Sequence, residues 1–130
     1  MSPEKKEILL SWYAKADEDI LAADIVSEAS PMLYDVAAFH AQQCAEKYLK
    51  AFLAFNEIFP PKVHDIKQLL DLASGFDISF EELREAESLS KYSVRSRYPD
   101  DFDVDKQQCD EIILLAKRVK NFVRNKIGIQ

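Results

Sequence analysis

Arginine, tyrosine and aspartate crowd into one short stretch of this chain, Tyr92-Ser93-Val94-Arg95-Ser96-Arg97-Tyr98-Pro99-Asp100-Asp101. A guanidinium offers a fixed fork of donors suited to phosphate, a phenol ring gives a face for stacking, and a carboxylate accepts from sugar hydroxyls or orients an arginine. Arg95, Arg97, Tyr98 and Asp100 are therefore candidates to hold a nucleotide or an RNA backbone. The same residues admit another arrangement, in which Arg95 and Arg97 pair with Asp100, Asp101 or the acidic segment before them and fasten the loop to the rest of the protein.

A second group comes from helical spacing. At 100° per residue, His40, Gln43 and Lys47 share one side strip of a helix, beside its apolar face and outside it. His40 can serve there as an acid or base, or simply as a partly exposed helix histidine. His64, in Pro60-Pro61-Lys62-Val63-His64-Asp65, reads first as part of a helix entry with Asp65 or His64 near the cap, and second as a ligand group. Lys117, Lys120 and Arg124 form a basic stripe near the end of the chain, either a solvated face or a surface that tracks phosphates. Cys44 and Cys109 fall on apolar stripes with no Cys-x-x-Cys or His-rich spacing nearby, which makes them buried thiols and no metal ligands.

The elements that must position these residues are helices. Ser2-Pro3-Glu4 has the pattern of an N-cap followed by proline in the first turn, and Leu9, Trp12, Tyr13, Ala16, Ile20 and Ala23 then recur at helical spacing as far as about Glu28. After Ser30-Pro31, Tyr34, Ala38, Ala41, Ala45, Tyr48, Phe52 and Phe55 alternate steps of four and three. Pro60-Pro61 cannot continue that helix, so about Asn56 to Val63 is a stiff connection. A shorter helix is predicted from about Asp65 to Ser74 with Gly75 as its C-cap. A fourth opens at the capping-box pattern Ser79-x-x-Glu82 and reaches about Ser90. Tyr92 to Asp103 reads as a loop, and the last helix, about Val104 to Lys126, carries Ile112, Leu115, Ala116, Val119, Phe122 and Val123 on one stripe. Phe39 and Leu53 lie away from the apolar stripe of the second helix, so they offer an exposed surface for a partner helix unless the loop covers them.

With 130 residues, the chain suits one domain, residues 1–130, and needs neither metal nor disulfide to stabilise its core. Two glycines and 48% hydrophobic residues fit an all-α protein, and a net charge of −6 argues against a general polyanion binder while leaving room for a local basic face. No charged-then-apolar leader and no long apolar run is present, so the expectation is a cytoplasmic protein that does not enter the membrane.

Phe39-His40-Ala41-Gln42-Gln43-Cys44-Ala45-Glu46-Lys47-Tyr48-Leu49-Lys50-Ala51 resembles the second-helix signature of the HEPN family. Tyr34-Asp35 before it, Pro60-Pro61-Lys62-Val63-His64-Asp65 after it and Arg97-Tyr98-Pro99-Asp100 extend the resemblance over nearly the whole chain. It implies an up-and-down antiparallel four-helix bundle with a short additional helix, a homodimer, and a partnership with a minimal nucleotidyltransferase in a pair of toxin–antitoxin type. Many members are metal-independent ribonucleases with an arginine followed shortly by a histidine (Arg-x4-6-His). Here His40 and His64 precede every arginine, so no such motif can be drawn. The residues and the resemblance together point to a nucleotide-binding interaction module without a cofactor, with Arg95, Arg97 and Tyr98 on phosphate and base, Asp100 and Gln43 beside them and Lys47 neutralising charge. Two alternatives stay open: an RNA endonuclease in which His40 or His64 moves the proton, and a purely structural dimer.

Overall fold

The computed structural model describes residues 1–94 and 103–129. The first helix, α1 (Pro3–Ala29), begins as its sequence dictates: Ser2 Oγ accepts from the Lys5 backbone N–H at 3.1 Å, and proline follows in the first turn. Leu9, Tyr13, Ala16, Ile20 and Ala23 are buried in alternating steps of four and three, and Ser30 turns extended ahead of Pro31. After a single 3-10 turn over Pro31–Leu33, α2 (Tyr34–Phe55) runs through the middle of the protein.

α2 packs against α1, α3, α4 and the segment between α3 and α4, and this corrects the expectation for Leu53. Leu53 is fully buried in the common core, and Phe39 is half-buried with its ring edge-on to His40. A helix surrounded on several sides buries apolar residues outside its main stripe, so Leu53 presents nothing to a partner.

α2 ends at Asn56, and Glu57 takes the left-handed conformation (φ 63°) more often given to glycine, its N–H donating to Ala54 O at 2.9 Å. The connection then leads to α3 (Ile66–Phe76), capped by Asp65, whose carboxylate accepts from the Lys67 N–H at 3.0 Å. Gly75 lies inside α3, one residue before its last; the cap is Asp77 in extended conformation.

The stretch predicted as a fourth α-helix is a 3-10 helix of 15 residues, Ile78–Tyr92. Its buried residues are Phe80, Leu83, Ala86, Leu89 and Tyr92, one every third position. Three residues per turn keeps such a series in a single line, whereas an α-helix would rotate it by about 60° per step. The expected box at Ser79 and Glu82 is replaced by Asp77, whose carboxylate accepts from both the backbone N–H and the hydroxyl of Ser79 and pairs with Lys126 at 3.0 Å.

These bonds, first the Ser79 hydroxyl and then Lys126, hold the Asp77 carboxyl down at about 2. A carboxylate depressed below its unfolded value, about 3.9, stabilises the fold above that value and stops doing so as the pH falls through 2. Urea unfolding of the wild type and Asp77→Asn between pH 6 and pH 2 is expected to show the wild type losing its advantage across that window, with no such loss in the variant.

The last helix, α4 (Lys106–Ile127), has a full capping box: Gln108 N–H donates to Asp105 Oδ1 at 2.8 Å and the Asp105 N–H to Gln108 Oε1 at 3.0 Å. Gly128, at φ 83°, closes it in the left-handed conformation.

Cross-helix pairs fix the directions. Asp19 meets His40 and Lys5 meets Glu57, so α1 and α2 are antiparallel. Asp24 pairs with Lys117 and Asp17 with Arg124, which sets α4 against α1. Asp71 pairs with Arg84 and Ser90 with Asp65, so the 3-10 helix returns along α3, and Lys126 reaching Asp77 runs α4 back along the 3-10 helix. The result is the expected all-α, up-and-down antiparallel bundle, with the 3-10 helix as its third main member and α3 as the short addition. Phe80 ties three elements, with its ring 4.2 Å from Phe52 and 5.0 Å from Phe122.

Candidate functional site

His40, Gln43, Lys47, Lys50 and Ala54 form one line on α2 at steps of three and four, half-buried except for the buried Lys50. α1 bounds it on one side through Asp19, a carboxylate almost fully withdrawn from solvent. Asp19 Oδ1 lies 2.9 Å from His40 Nδ1, and Oδ2 accepts from the Lys47 ammonium at 2.5 Å. Because a carboxylate only accepts, the pairing places a proton on Nδ1 of His40 and leaves Nε2 with no partner among the described residues. His40 and Lys47 thus share one carboxylate, that of Asp19 on another helix.

The entry to α3 bounds the other side. Glu46 is 3% exposed and accepts from His64 Nδ1 at 2.8 Å, from the Lys50 ammonium at 2.9 Å and from Gln42 Nε2 at 3.3 Å. Gln42 is fully buried; it also donates to the His64 carbonyl at 3.1 Å and accepts from Gln43 Nε2 at 2.7 Å. Gln43 therefore leans toward the Glu46 side, away from His40 and Lys47. Asp19, Gln42 and Glu46 are the members that sequence reasoning missed. The available signal was the i, i+4 series Gln42-Glu46-Lys50, three polar residues on a flank that a soluble helix would ordinarily make apolar or expose.

Arg95, Arg97, Tyr98 and Asp100 lie outside the described residues, as does any pairing of the two arginines with Asp100 or Asp101. The segments that flank them are described. On one side, Ser90 Oγ accepts from the Ile66 N–H at 2.9 Å and donates to Asp65 Oδ1 at 3.3 Å, so the 3-10 helix ends next to His64. On the other, Lys106 at the start of α4 shares a cleft of about 500 Å³ with Tyr34 at the start of α2.

Each cation of the basic stripe of α4 has a carboxylate partner on α1, although Lys120 and Arg124 share one. Lys117 pairs with Asp24 at 3.0 Å, Lys120 with Asp17 at 3.1 Å, and Arg124 with Asp17 at 2.7 Å. Asp17 also accepts from the Tyr48 hydroxyl, which in turn accepts from Arg124 Nε at 3.0 Å. These cations fasten α4 to α1.

Cys44 and Cys109 are buried free thiols, as their positions on apolar stripes predicted. Burial pushes Cys44 up to about 12 and Cys109 up to about 11, so little thiolate forms near neutral pH. Iodoacetamide at pH 8 is expected to leave both intact in the native protein and to label both in urea, read by mass. Among the described residues no group of three or more His, Cys, Asp or Glu is placed to hold a metal ion, and no helix is long and apolar enough to cross a membrane.

The described residues thus form an all-α bundle with a histidine–carboxylate contact on each side of its central helix. A family model of the HEPN domain matches residues 9–126, and the chain belongs to the HEPN family. The crystal structure of an archaeal HEPN homologue is similar, at 28% identity and a TM-score of 0.73, with 92% of this chain and 97% of that one covered. No curated protein matches the chain.

Proposed function

We propose that this HEPN domain is a nucleotide- or RNA-binding interaction module, the partner of a small nucleotidyltransferase in a pair of toxin–antitoxin type. The observation that carries the reading is the polar line on α2. Its His40, Gln43 and Lys47 are held in place by Asp19 and Gln42, and it is bounded by the entry to α3, beside the end of the 3-10 helix that leads to Arg95 and Arg97. Prearranged donors lose less freedom when a ligand binds, and the two guanidiniums and the Tyr98 ring supply the phosphate and base contacts that this line lacks. Asp100 serves as the sugar-hydroxyl acceptor.

Thermal unfolding with and without ATP, GTP and a short single-stranded RNA tests this reading. A ligand at a hundred times its dissociation constant stabilises the native state by about 2.7 kcal/mol, and Arg95→Ala/Arg97→Ala should abolish the rise. No rise with any ligand would leave a structural or protein-partner role. A homodimer belongs to the same proposal; with Leu53 buried, its surface is sought on α1, where Leu10, Leu21 and Ile25 are exposed. Sedimentation of the wild type and Leu21→Glu measures it.

One observation favours RNA cleavage as the second reading. Asp19 fixes the proton of His40 on Nδ1 and frees Nε2, which is how a carboxylate prepares an imidazole to take a proton. In that case His40→Ala removes cleavage of a single-stranded RNA, and Asp19→Asn lowers its rate by about 10²–10⁴-fold. Equal RNA binding without cleavage in the wild type returns the protein to the first reading.

A further inference from the structure

At the lower end of the polar line on α2 the surface opens into a groove of about 470 Å³. α1 supplies one wall with Ile8 and Trp12, and the stretch after α2 supplies the other with Ile58, Phe59 and Pro60. Phe59 is 86% exposed, an apolar ring that the fold itself does not use. Lys50 also lines the groove; its side chain is 9% exposed, and its ammonium spends one N–H on Glu46, leaving two with no partner among the described residues. A larger groove of about 690 Å³ between the 3-10 helix and α4 contains no residue of α2.

Apolar and aromatic walls around one buried donor form the usual build of a small-molecule seat. The ligand they fit is flat, aromatic and edged with acceptors: its faces would stack on Phe59 and Trp12, and a ring nitrogen or carbonyl would face Lys50. Stacking between an aromatic side chain and a base tolerates any base, because each has a π face. Lys47 stands one turn up the same line from Lys50 with its ammonium held by Asp19, so the groove serves the ring of such a ligand and not its phosphate. The rim adds Lys62, an exposed cation, and Glu57, an exposed carboxylate paired with Lys5.

We infer that this groove seats the nucleobase of a bound nucleotide or of a residue of single-stranded RNA, with Phe59 and Trp12 as its stacking faces. The inference rests on the nucleotide reading above and gives it a base subsite.

Trp12 is the single tryptophan of the chain, so its emission reports directly on the groove. The experiment titrates the full chain with adenosine, AMP, ribose 5-phosphate and a hexa-adenylate RNA, following Trp12 emission and, in parallel, heat by calorimetry. AMP or the RNA is expected to change the emission and ribose 5-phosphate is not. A response to AMP identifies a free nucleotide; a response to the RNA alone identifies a strand. Phe59→Ala, at an exposed position, should weaken the responding ligand by at least about fivefold, and Phe59→Tyr should restore it. If a nucleotide binds by calorimetry while Trp12 emission and Phe59→Ala binding stay unchanged, the base subsite is wrong and the nucleotide reading stands. If nothing binds, both fall. If Phe59→Ala weakens only self-association or capture of a nucleotidyltransferase, the groove is a protein-docking surface and the inference is overturned.

Discussion

Glu46→Ala is expected to destabilise the protein by about 3–5 kcal/mol, the cost of leaving one member of a buried ion pair without its partner. Glu46 is the common acceptor for Lys50, His64 and Gln42, and the side chains of both Glu46 and Lys50 are largely withdrawn from solvent. Removing the carboxylate leaves an ammonium in an apolar setting and an amide with one bond fewer. Glu46→Ala/Lys50→Met should recover most of the loss, because an apolar pair of similar volume avoids the desolvation of both charges. Urea unfolding of the three proteins measures it. A single variant within about 0.5 kcal/mol of the wild type would mean that water or a shift of Lys50 compensates, and that the pair does not organise this side of α2. The same variants test the link to function: with Glu46 gone, His64 loses its anchor, and ligand binding that depends on the entry to α3 weakens with it.

Much of the bundle was legible because helical information is local. The steps of Leu9, Tyr13, Ala16 and Ile20 mark a buried stripe without reference to any other part of the chain, and Ser2 and Pro60-Pro61 punctuate the helices in physically required ways. The same locality placed His40, Gln43 and Lys47 on one strip. The 3-10 helix was misread for an instructive reason: Phe80, Leu83, Ala86, Leu89 and Tyr92 were all visible at strict steps of three, but a capping-box pattern at Ser79 drew the reading to an α-helix. What no local rule supplies is which charges meet across helices. Asp17 and Asp19 are two residues apart, some 200° around α1, and Asp17 closes on the cations of α4 and the Tyr48 hydroxyl while Asp19 closes on His40 and Lys47 of α2. Asp19 turns Lys47 from a free phosphate donor into half of an ion pair, and Asp17 does the same for Arg124. Both outcomes depend on how α1 is rotated against its neighbours.

That rotation is what the second large effect tests. Arg124→Ala is expected to destabilise the fold by about 2–4 kcal/mol through lost charge-assisted bonds and lost packing. Its guanidinium bonds Asp17 and the Tyr48 hydroxyl and lies 4.5 Å from the centre of the Tyr13 ring, a cation–π contact between α4 and α1. Tyr48→Phe keeps the ring and the Asp17–Arg124 pair, so it should cost only about 1–2 kcal/mol. The double variant should fall short of the sum by about 1 kcal/mol, since both substitutions break one shared network. Alkaline titration adds an independent sign. Burial first, and the hydrogen bond to Asp17 second, raise the Tyr48 phenol above its ordinary 10.0. A raised acid binds its proton more tightly in the folded state, so its contribution is complete below pH 10 and is lost as the pH rises beyond it. Wild-type stability should therefore fall above pH 10 more steeply than that of Tyr48→Phe. Nucleotide affinity measured below the melting range of Arg124→Ala should stay within about twofold of the wild type, a difference of no more than roughly 0.4 kcal/mol. A tenfold loss there would return the α4 stripe to the binding surface and make Asp17 its regulator, with the fastening of α1 to α4 as a secondary effect.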